Sequence, residues 1–115
     1  MENYEKQVVI CLIQPPIGTL FPVEGLRMTV ALSGDMEPVT VAMDDGVYAF
    51  LKGCDRTMYQ EHFNFIKEID LEILVDKRAL DERGLTADDL IEGVEVKEHE
   101  EIHKLLSSVD VVIPF

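Results

Sequence analysis

Apolar residues in this chain fall into short runs of the length expected for buried strands. Residues 7–14 form the longest run, an almost continuous apolar stretch that ends before Pro15. Such a run is typical of a strand that is buried on both faces of a sheet. Shorter runs of the same kind follow along the chain. The pattern predicts strands over residues 7–14, 39–43, 71–75, 94–97 and 111–115.

The segments between these runs have helical character. Residues 58–69 are the clearest case, because apolar side chains such as Phe63 and Ile66 repeat at helical spacing while charged residues face away from them. Gly84 stands where a helix is expected to end, and residues 86–89 have the spacing of a capping box. Helices are predicted over residues 23–32, 46–51, 58–69, 77–83 and 98–108.

Strand and helix alternate over all 115 residues without an internal repeat or a linker. This length suits one hydrophobic core rather than two. Parallel strands joined by helical crossovers account for the alternation most simply. We therefore predict an α/β fold with a five-stranded, mostly parallel sheet and helices on both faces, in a single domain over residues 1–115.

Composition and charge narrow the classes of partner. The chain is 47% hydrophobic and 29% charged, with a net charge of −13, a field that repels nucleic-acid backbones. The uncharged stretch over residues 7–20 is too short, and too interrupted by proline and glycine, to span a bilayer. Residues 1–6 lack the basic segment of a signal peptide. We expect a cytoplasmic protein that binds neither nucleic acid nor membrane directly.

Candidate site residues stand where the predicted strands end. Asp44, Asp45 and Gly46 follow the second strand, Gly18 and Thr19 follow the first, and residue 76, an aspartate, follows the third. The ends of parallel strands meet at one edge of a sheet, which we call the carboxyl edge, and ligands of open α/β sheets bind there. These residues are therefore predicted to form a site for a substrate or a partner.

Two structural roles compete with a site at the carboxyl edge. Asp44 can cap the short helix that follows it, since a carboxylate accepts the first N–H groups of a helix. Residues 15–19 can be a rigid turn between strand and helix. This turn lacks the glycine spacing of a dinucleotide site and the Gly-Lys-Ser/Thr of a P-loop, so no nucleotide or flavin cofactor is expected.

The two cysteines differ in their predicted surroundings. Cys11 lies inside the first apolar run, where a cysteine is usually a small buried hydrophobe. Cys54 lies in a polar turn between Lys52 and Arg56, and neighbouring cations lower the pKa of a thiol. Cys54 is thus the candidate catalytic thiol, and the alternative is an ordinary loop cysteine.

The segment from His99 to His103 matches H-E-x-x-H, the signature of zinc proteases. Two histidines four residues apart on a helix can bind one metal ion. However, only 12 residues follow, mostly an apolar strand, which leaves little room for a third ligand. We expect a solvent-facing helix and no metal site.

Short segments spread over nearly the whole chain resemble the DsrE/DsrF/DsrH superfamily, and the match is closest to its TusC/DsrF branch. They are Gly18-Thr19, Glu24-Gly25-Leu26, Asp44-Asp45-Gly46-Val47-Tyr48, residues 80–85 and residues 109–115. The resemblance implies a five-stranded, flavodoxin-like domain that assembles into homo-oligomers, or into hetero-oligomers with other DsrE/DsrF/DsrH-like subunits. It also implies intracellular sulfur oxidation or the sulfur relay that thiolates the wobble uridine of tRNA.

In the catalytic subunits of that superfamily, a cysteine just after the middle strand carries a persulfide. Asp76 occupies the matching position of this sequence. A carboxylate cannot carry a sulfane sulfur, because the relay needs a thiolate nucleophile and a sulfur leaving group. The departure favours a non-catalytic, partner-type subunit of a sulfur relay. Two alternatives remain: a small sulfurtransferase that uses Cys54, and a small-molecule binding module at the carboxyl edge.

Overall fold

The computed structural model describes residues 6–115, and the prediction of a cytoplasmic protein rests in part on residues 1–5, outside that range. The five predicted strands are present: β1 (Val8–Leu12), β2 (Val39–Ala42), β3 (Ile73–Asp76), β4 (Glu95–Lys97) and β5 (Val111–Pro114). The α-helices are α1 (Phe21–Leu32), α2 (Gln60–Glu68), α3 (Lys77–Glu82) and α4 (His99–Ser108). Two 3₁₀ helices cover Asp44–Phe50 and Ala87–Asp89.

All strand pairs within the sheet are parallel, in the order β4-β3-β2-β1-β5. The predicted α/β class is confirmed, and the sheet is wholly rather than mostly parallel. From β1 to β4 each strand is added on the same side of its predecessor. The chain then returns across the sheet to place β5 beside β1. Because parallel crossovers are right-handed, this reversal puts the last helix on the opposite face.

Two cores result, one on each face of the sheet. The larger core lies beneath α1, α2 and α3 and includes Ile10, Leu12, Phe50, Ile66, Val75 and Leu80. The smaller core lies beneath α4, where Ile102 packs against β1, β2 and β3. Successive residues of β1 point alternately into the two cores, which explains why the strand is apolar throughout.

The differences from the predicted boundaries have local causes. Strand β1 is shorter than predicted, because the N–H groups of Ile13 and Gln14 turn toward the carbonyl of Phe115 rather than continuing a ladder. Helix α1 starts two residues earlier than predicted, with Pro22 in its first turn, where proline is well tolerated. The predicted short helix over 46–51 is a 3₁₀ helix that begins at Asp44.

Two predicted helix boundaries are confirmed by backbone geometry. Gly84 has a φ of 67° and follows α3, as expected for a residue that ends a helix. The capping box of residues 86–89 is present, and the N–H of Thr86 donates to the carboxylate of Asp89 at 2.8 Å. Within residues 6–115, no helix has the length and apolar character needed to cross a membrane.

Candidate functional site

At the carboxyl edge, the connections after β3 and β4 leave the sheet toward opposite faces, and we call the position between these two strand ends the crevice. The connections after β1, β2 and β3 lead to helices over the larger core, whereas the connection after β4 leads to α4 on the opposite face. Neighbouring strands whose connections leave to opposite faces create the usual ligand position of open α/β sheets. Asp76 ends β3 at this point, and its register partner in β4 is Lys97.

Asp76 is the most buried charged residue at the carboxyl edge, with 4% of its side chain exposed. It precedes α3 in an extended conformation, and its Oδ1 accepts the N–H of Arg78 at 3.2 Å, so it caps that helix. Its carboxylate also contacts the Nδ1 atom of His99, at 3.2 Å from Oδ1 and 3.0 Å from Oδ2. A buried carboxylate with these partners is held in one orientation.

His99 opens α4 and brings an imidazole to the same crevice. A carboxylate only accepts hydrogen bonds, so Nδ1 carries the hydrogen in the contact with Asp76. About a third of the His99 side chain (35%) is exposed. The sequence pattern indicates His99 only as a possible metal ligand and does not predict this pairing. Only the order of the strands indicates the pairing, because Asp76 ends β3, His99 comes two residues after β4, and these neighbouring parallel strands end at the same edge.

The turn after β2 approaches β1 closely. A side chain at Gly46 would overlap the carbonyl oxygen of Leu12, so only glycine fits there.

Asp44 has a φ of 48°, in the left-handed region that aspartate tolerates better than most residues. The prediction that Asp44 caps the following helix is wrong. Met43 holds the N-cap position, and no side chain accepts a hydrogen bond at that end.

Asp45 turns away from the crevice toward α3. Its Oδ1 accepts from Nε and Nη2 of Arg83, at 3.1 and 2.9 Å. Burial lowers the pKa of the Arg83 guanidinium, but the hydrogen bonds that Arg83 donates to Asp45 and the attraction of Asp45, Tyr48 and Asp44 together raise it above its usual value. The Arg83 guanidinium also lies 6.0 Å from the centre of the Tyr48 ring. These contacts give Asp45 a structural partner that the sequence pattern does not predict.

The loop after β1 is stabilised by its own residues. Gly18 has a φ of 82°, and the hydroxyl of Thr19 donates to the carbonyl of Pro15 at 2.6 Å. Thr19 thus closes the turn. Ile17, in the same loop, is 82% exposed.

A second concavity, of about 580 Å³, lies between this loop and the segment that follows the first 3₁₀ helix. It is mostly apolar, and its lining includes Pro15, Ile17, Tyr48, Lys52, Cys54 and Asp89. Asp44 and Asp76 are not part of it. The structure therefore separates Cys54 from the Asp76–His99 crevice.

The groups around Cys54 have other hydrogen-bond partners. Its Sγ lies 3.5 Å from the Tyr59 hydroxyl, which already donates to the carbonyl of Ala49 at 2.8 Å. Burial raises the pKa of Tyr59, and the Cys54 contact adds to the increase. The Arg56 guanidinium was expected to lie beside the thiol. It instead donates hydrogen bonds to the carbonyls of Leu51 and Cys54 and to the side chain of Gln60.

Cys11 is buried in β1, as predicted. Burial raises the pKa of its thiol to about 11, and the carboxylates of Asp44 and Asp76 add to the increase. Asp44, after β2, and Asp76, at the end of β3, therefore both lie close enough to raise the pKa of the same buried thiol. The nearest polar partner of Cys11 is the sulfur of Met43, at 3.6 Å.

The histidines of the H-E-x-x-H segment point to different surroundings. His99 contacts Asp76, while His103 is exposed and lines a shallow surface depression with His99, Glu100 and Lys104. Among residues 6–115, no group of three or more His, Cys, Asp or Glu side chains is arranged to hold a metal ion.

Comparison with known proteins identifies the family. The model of the DsrE/DsrF-like family matches residues 6–115. The chain belongs to the DsrE/DsrF-like family. Over 119 residues it is 27% identical to the intracellular sulfur oxidation protein DsrF of Allochromatium vinosum, with 96% of this chain and 88% of that protein covered.

Solved structures of similar proteins confirm the flavodoxin-like fold of this family member. The ychN protein of E. coli superimposes with a TM-score of 0.78 at 25% identity, covering 96% of this chain and all of that one (100%). MTH1491 of Methanobacterium thermoautotrophicum, a protein of unknown function, gives a TM-score of 0.70 at 18% identity with the same coverage. The resemblance inferred from the short sequence segments is confirmed.

Proposed function

We propose that this DsrE/DsrF-like chain is a cytoplasmic, partner-type subunit of intracellular sulfur metabolism that binds a persulfide-carrying subunit without carrying the sulfur itself. The supporting observation is Asp76 at the end of β3. A carboxylate there accepts hydrogen bonds and cannot form a persulfide. The intracellular sulfur oxidation role in the name of the Allochromatium relative supports the same area of metabolism.

A role in binding other subunits is supported by exposed apolar side chains near the carboxyl edge. Ile17, Leu20 and Phe21 are each at least half exposed, and they lie in the loop after β1 and the start of α1. Contiguous exposed apolar residues are typical of protein interfaces. The net charge of −13 adds a preference for a partner with basic residues around its own apolar contact.

The binding claim is tested with a DsrE/DsrF-like subunit that has cysteine at the end of its third strand. We expect the two proteins to co-elute in size-exclusion chromatography with light scattering. Ile17→Glu is expected to weaken the complex by roughly tenfold or more, because it places a charge in the contact. Ile69→Glu is the matched control, because Ile69 is also exposed but follows α2 and precedes β3, at the amino ends of the strands.

Two results would contradict this account, the first the partner-type subunit and the second the contact at the carboxyl edge. One is the absence of any complex with the cysteine-bearing subunit at micromolar concentrations. The other is equal weakening by Ile17→Glu and Ile69→Glu, which would indicate a general effect of added charge rather than a contact at the carboxyl edge.

The second candidate function is a sulfurtransferase that uses Cys54. It is favoured by the position of this thiol beside Lys52 in the lining of the second concavity, which is mostly apolar. If Cys54 accepts sulfur, incubation with an organic persulfide adds about 32 Da to the protein, one sulfur atom on a thiolate. Cys54→Ser then abolishes the adduct. The same adduct in Cys54→Ser would exclude Cys54 as the acceptor.

A further inference from the structure

We infer that Asp76 and His99 act together as a proton acceptor for the thiol of a partner's cysteine that docks at the crevice between β3 and β4. This inference rests on the proposed function, because the thiol comes from another protein. It gives the crevice a chemical role that Asp76 alone does not have. In this arrangement His99 is the catalytic residue and Asp76 is a positioning residue.

The geometry of the pair matches that of an oriented imidazole base. Both Asp76 oxygens lie within 3.2 Å of His99 Nδ1, and the carboxylate is almost wholly buried. A carboxylate at Nδ1 fixes the tautomer in which Nε2 has the lone pair. It also stabilises the imidazolium that forms when Nε2 takes a proton.

The other side of the ring is open to a partner. Within residues 6–115, every side-chain hydrogen bond of His99 involves Nδ1, and Nε2 has none. The ring is partly exposed and lines the surface depression on α4. A docked group can therefore reach the imidazole while Asp76 remains covered.

The proton transfer fits a sulfur relay. His99 Nε2 takes the proton from the partner's S–H group, so an N–H bond replaces the S–H bond and a thiolate forms. The thiolate attacks the outer sulfur of a persulfide on another subunit, and the S–S bond of that persulfide breaks. The departing thiolate takes the proton back from His99, so nothing is oxidised or reduced overall.

The acid–base match favours a thiol over an alcohol. Free thiols have a reference pKa of about 8.5, about two units above imidazole, whereas alcohols are far weaker acids.

Charged and titratable groups lie on each element next to the Asp76–His99 pair. They are Cys11 on β1, Asp44 after β2, Lys77 and Arg78 on α3, Lys97 on β4, and Glu100, His103 and Lys104 on α4.

The test uses a reporter thiol in place of the partner's cysteine. His103→Cys, in a Cys54→Ser background, introduces a thiol one helical turn from His99 in the same depression. Its alkylation by iodoacetamide is followed by mass spectrometry from about pH 5 to about pH 9, the range in which imidazoles titrate. Adding His99→Gln removes the base. Adding Asp76→Asn keeps the shape but supplies an amide that donates to Nδ1, which leaves Nε2 protonated.

We expect alkylation near pH 7 to be roughly tenfold faster with the pair intact than with His99→Gln, because a nearby base raises the thiolate fraction. Asp76→Asn is expected to bring the rate to within about twofold of His99→Gln, as expected for the wrong tautomer. His62→Gln, on α2 over the other sheet face, is the control and should leave the rate unchanged.

Equal rates in all variants overturn the inference, and so does a His99 effect that Asp76→Asn leaves intact. If His99→Gln prevents folding, nitrogen NMR of the unsubstituted protein decides instead, since the pair requires the Nδ1–H tautomer and an Nε2–H tautomer overturns it. Failure here is distinguishable from failure of the proposed function. Complex formation in light scattering does not depend on proton transfer, and the reporter thiol does not depend on a partner.

Discussion

Burial decides what the polar side chains near the carboxyl edge can do. Asp76 is buried and accepts hydrogen bonds from the N–H of Arg78 and from the ring of His99. Cys11 is buried without such partners, and burial raises the pKa of its thiol to about 11. A buried carboxylate with donors can orient a base, whereas a buried thiol of raised pKa remains protonated and inert.

The raised pKa of Cys11 makes stability fall at high pH. The thiol of the unfolded chain ionises near pH 9.0, and that of the folded protein near pH 11. The folded state retains a proton that the unfolded state loses, so the free energy of unfolding decreases between these values and is unaffected below them. This loss amounts to at most about 3 kcal/mol. Cys11→Ala should remove it.

Urea unfolding from pH 8 to pH 11 measures this difference, because lysines and tyrosines titrate alike in both proteins. Cys11→Ala is expected to lower stability at pH 8 by leaving a small cavity, and its deficit should shrink as the pH rises. A deficit that is constant over this range would show that Cys11 does not titrate differently in the folded state.

At the scale of elements, the close approach of the first 3₁₀ helix to β1 depends on Gly46. A Cβ atom there would overlap the Leu12 carbonyl. Gly46→Ala is therefore expected to lower the free energy of unfolding by about 2–4 kcal/mol, since backbone must move to accommodate it. Gly34→Ala is the matched control, because nothing lies within 4 Å of the added carbon. Thermal melting that shifts equally in both variants would refute this account.

The elements that could be predicted from sequence are those with a repeating pattern. The apolar run predicts β1 and the helical spacing of apolar residues predicts α2, because burial selects apolar residues at regular positions along a strand or helix. The 3₁₀ form of Asp44–Phe50 carries no comparable signal. Neither does the contact of Asp76 with His99, which joins residues 23 apart and depends on α4 packing across the sheet. Pairings of this kind follow from topology rather than from local sequence.

At the scale of the whole molecule, the return of the chain from β4 to β5 determines where the site lies. It sends α4 to the face opposite α3 and so opens the crevice that Asp76 and His99 share. The same topology leaves β5 at an edge, with Val111 and Val112 partly exposed. An edge strand with exposed apolar residues favours association with another chain.

We expect the protein to form an oligomer, as the family resemblance implies. Light scattering should give a molar mass at least about twice the 13.0 kDa of the chain. Replacing Val112 with lysine on the edge strand should shift the equilibrium toward the monomer, since charged edges oppose pairing. A strict monomer at micromolar concentration would contradict the expectation.

The most direct test of a partner-type subunit asks where the sulfur resides. A DsrE/DsrF-like subunit loaded with persulfide on its own cysteine is mixed with this protein, and both chains are weighed by intact mass spectrometry. We predict no gain of mass on the wild-type chain, and a gain of about 32 Da on Asp76→Cys, which restores a thiol at the end of β3. A stoichiometric gain on the wild-type chain, lost in Cys54→Ser, would contradict the proposal and assign the sulfur to Cys54.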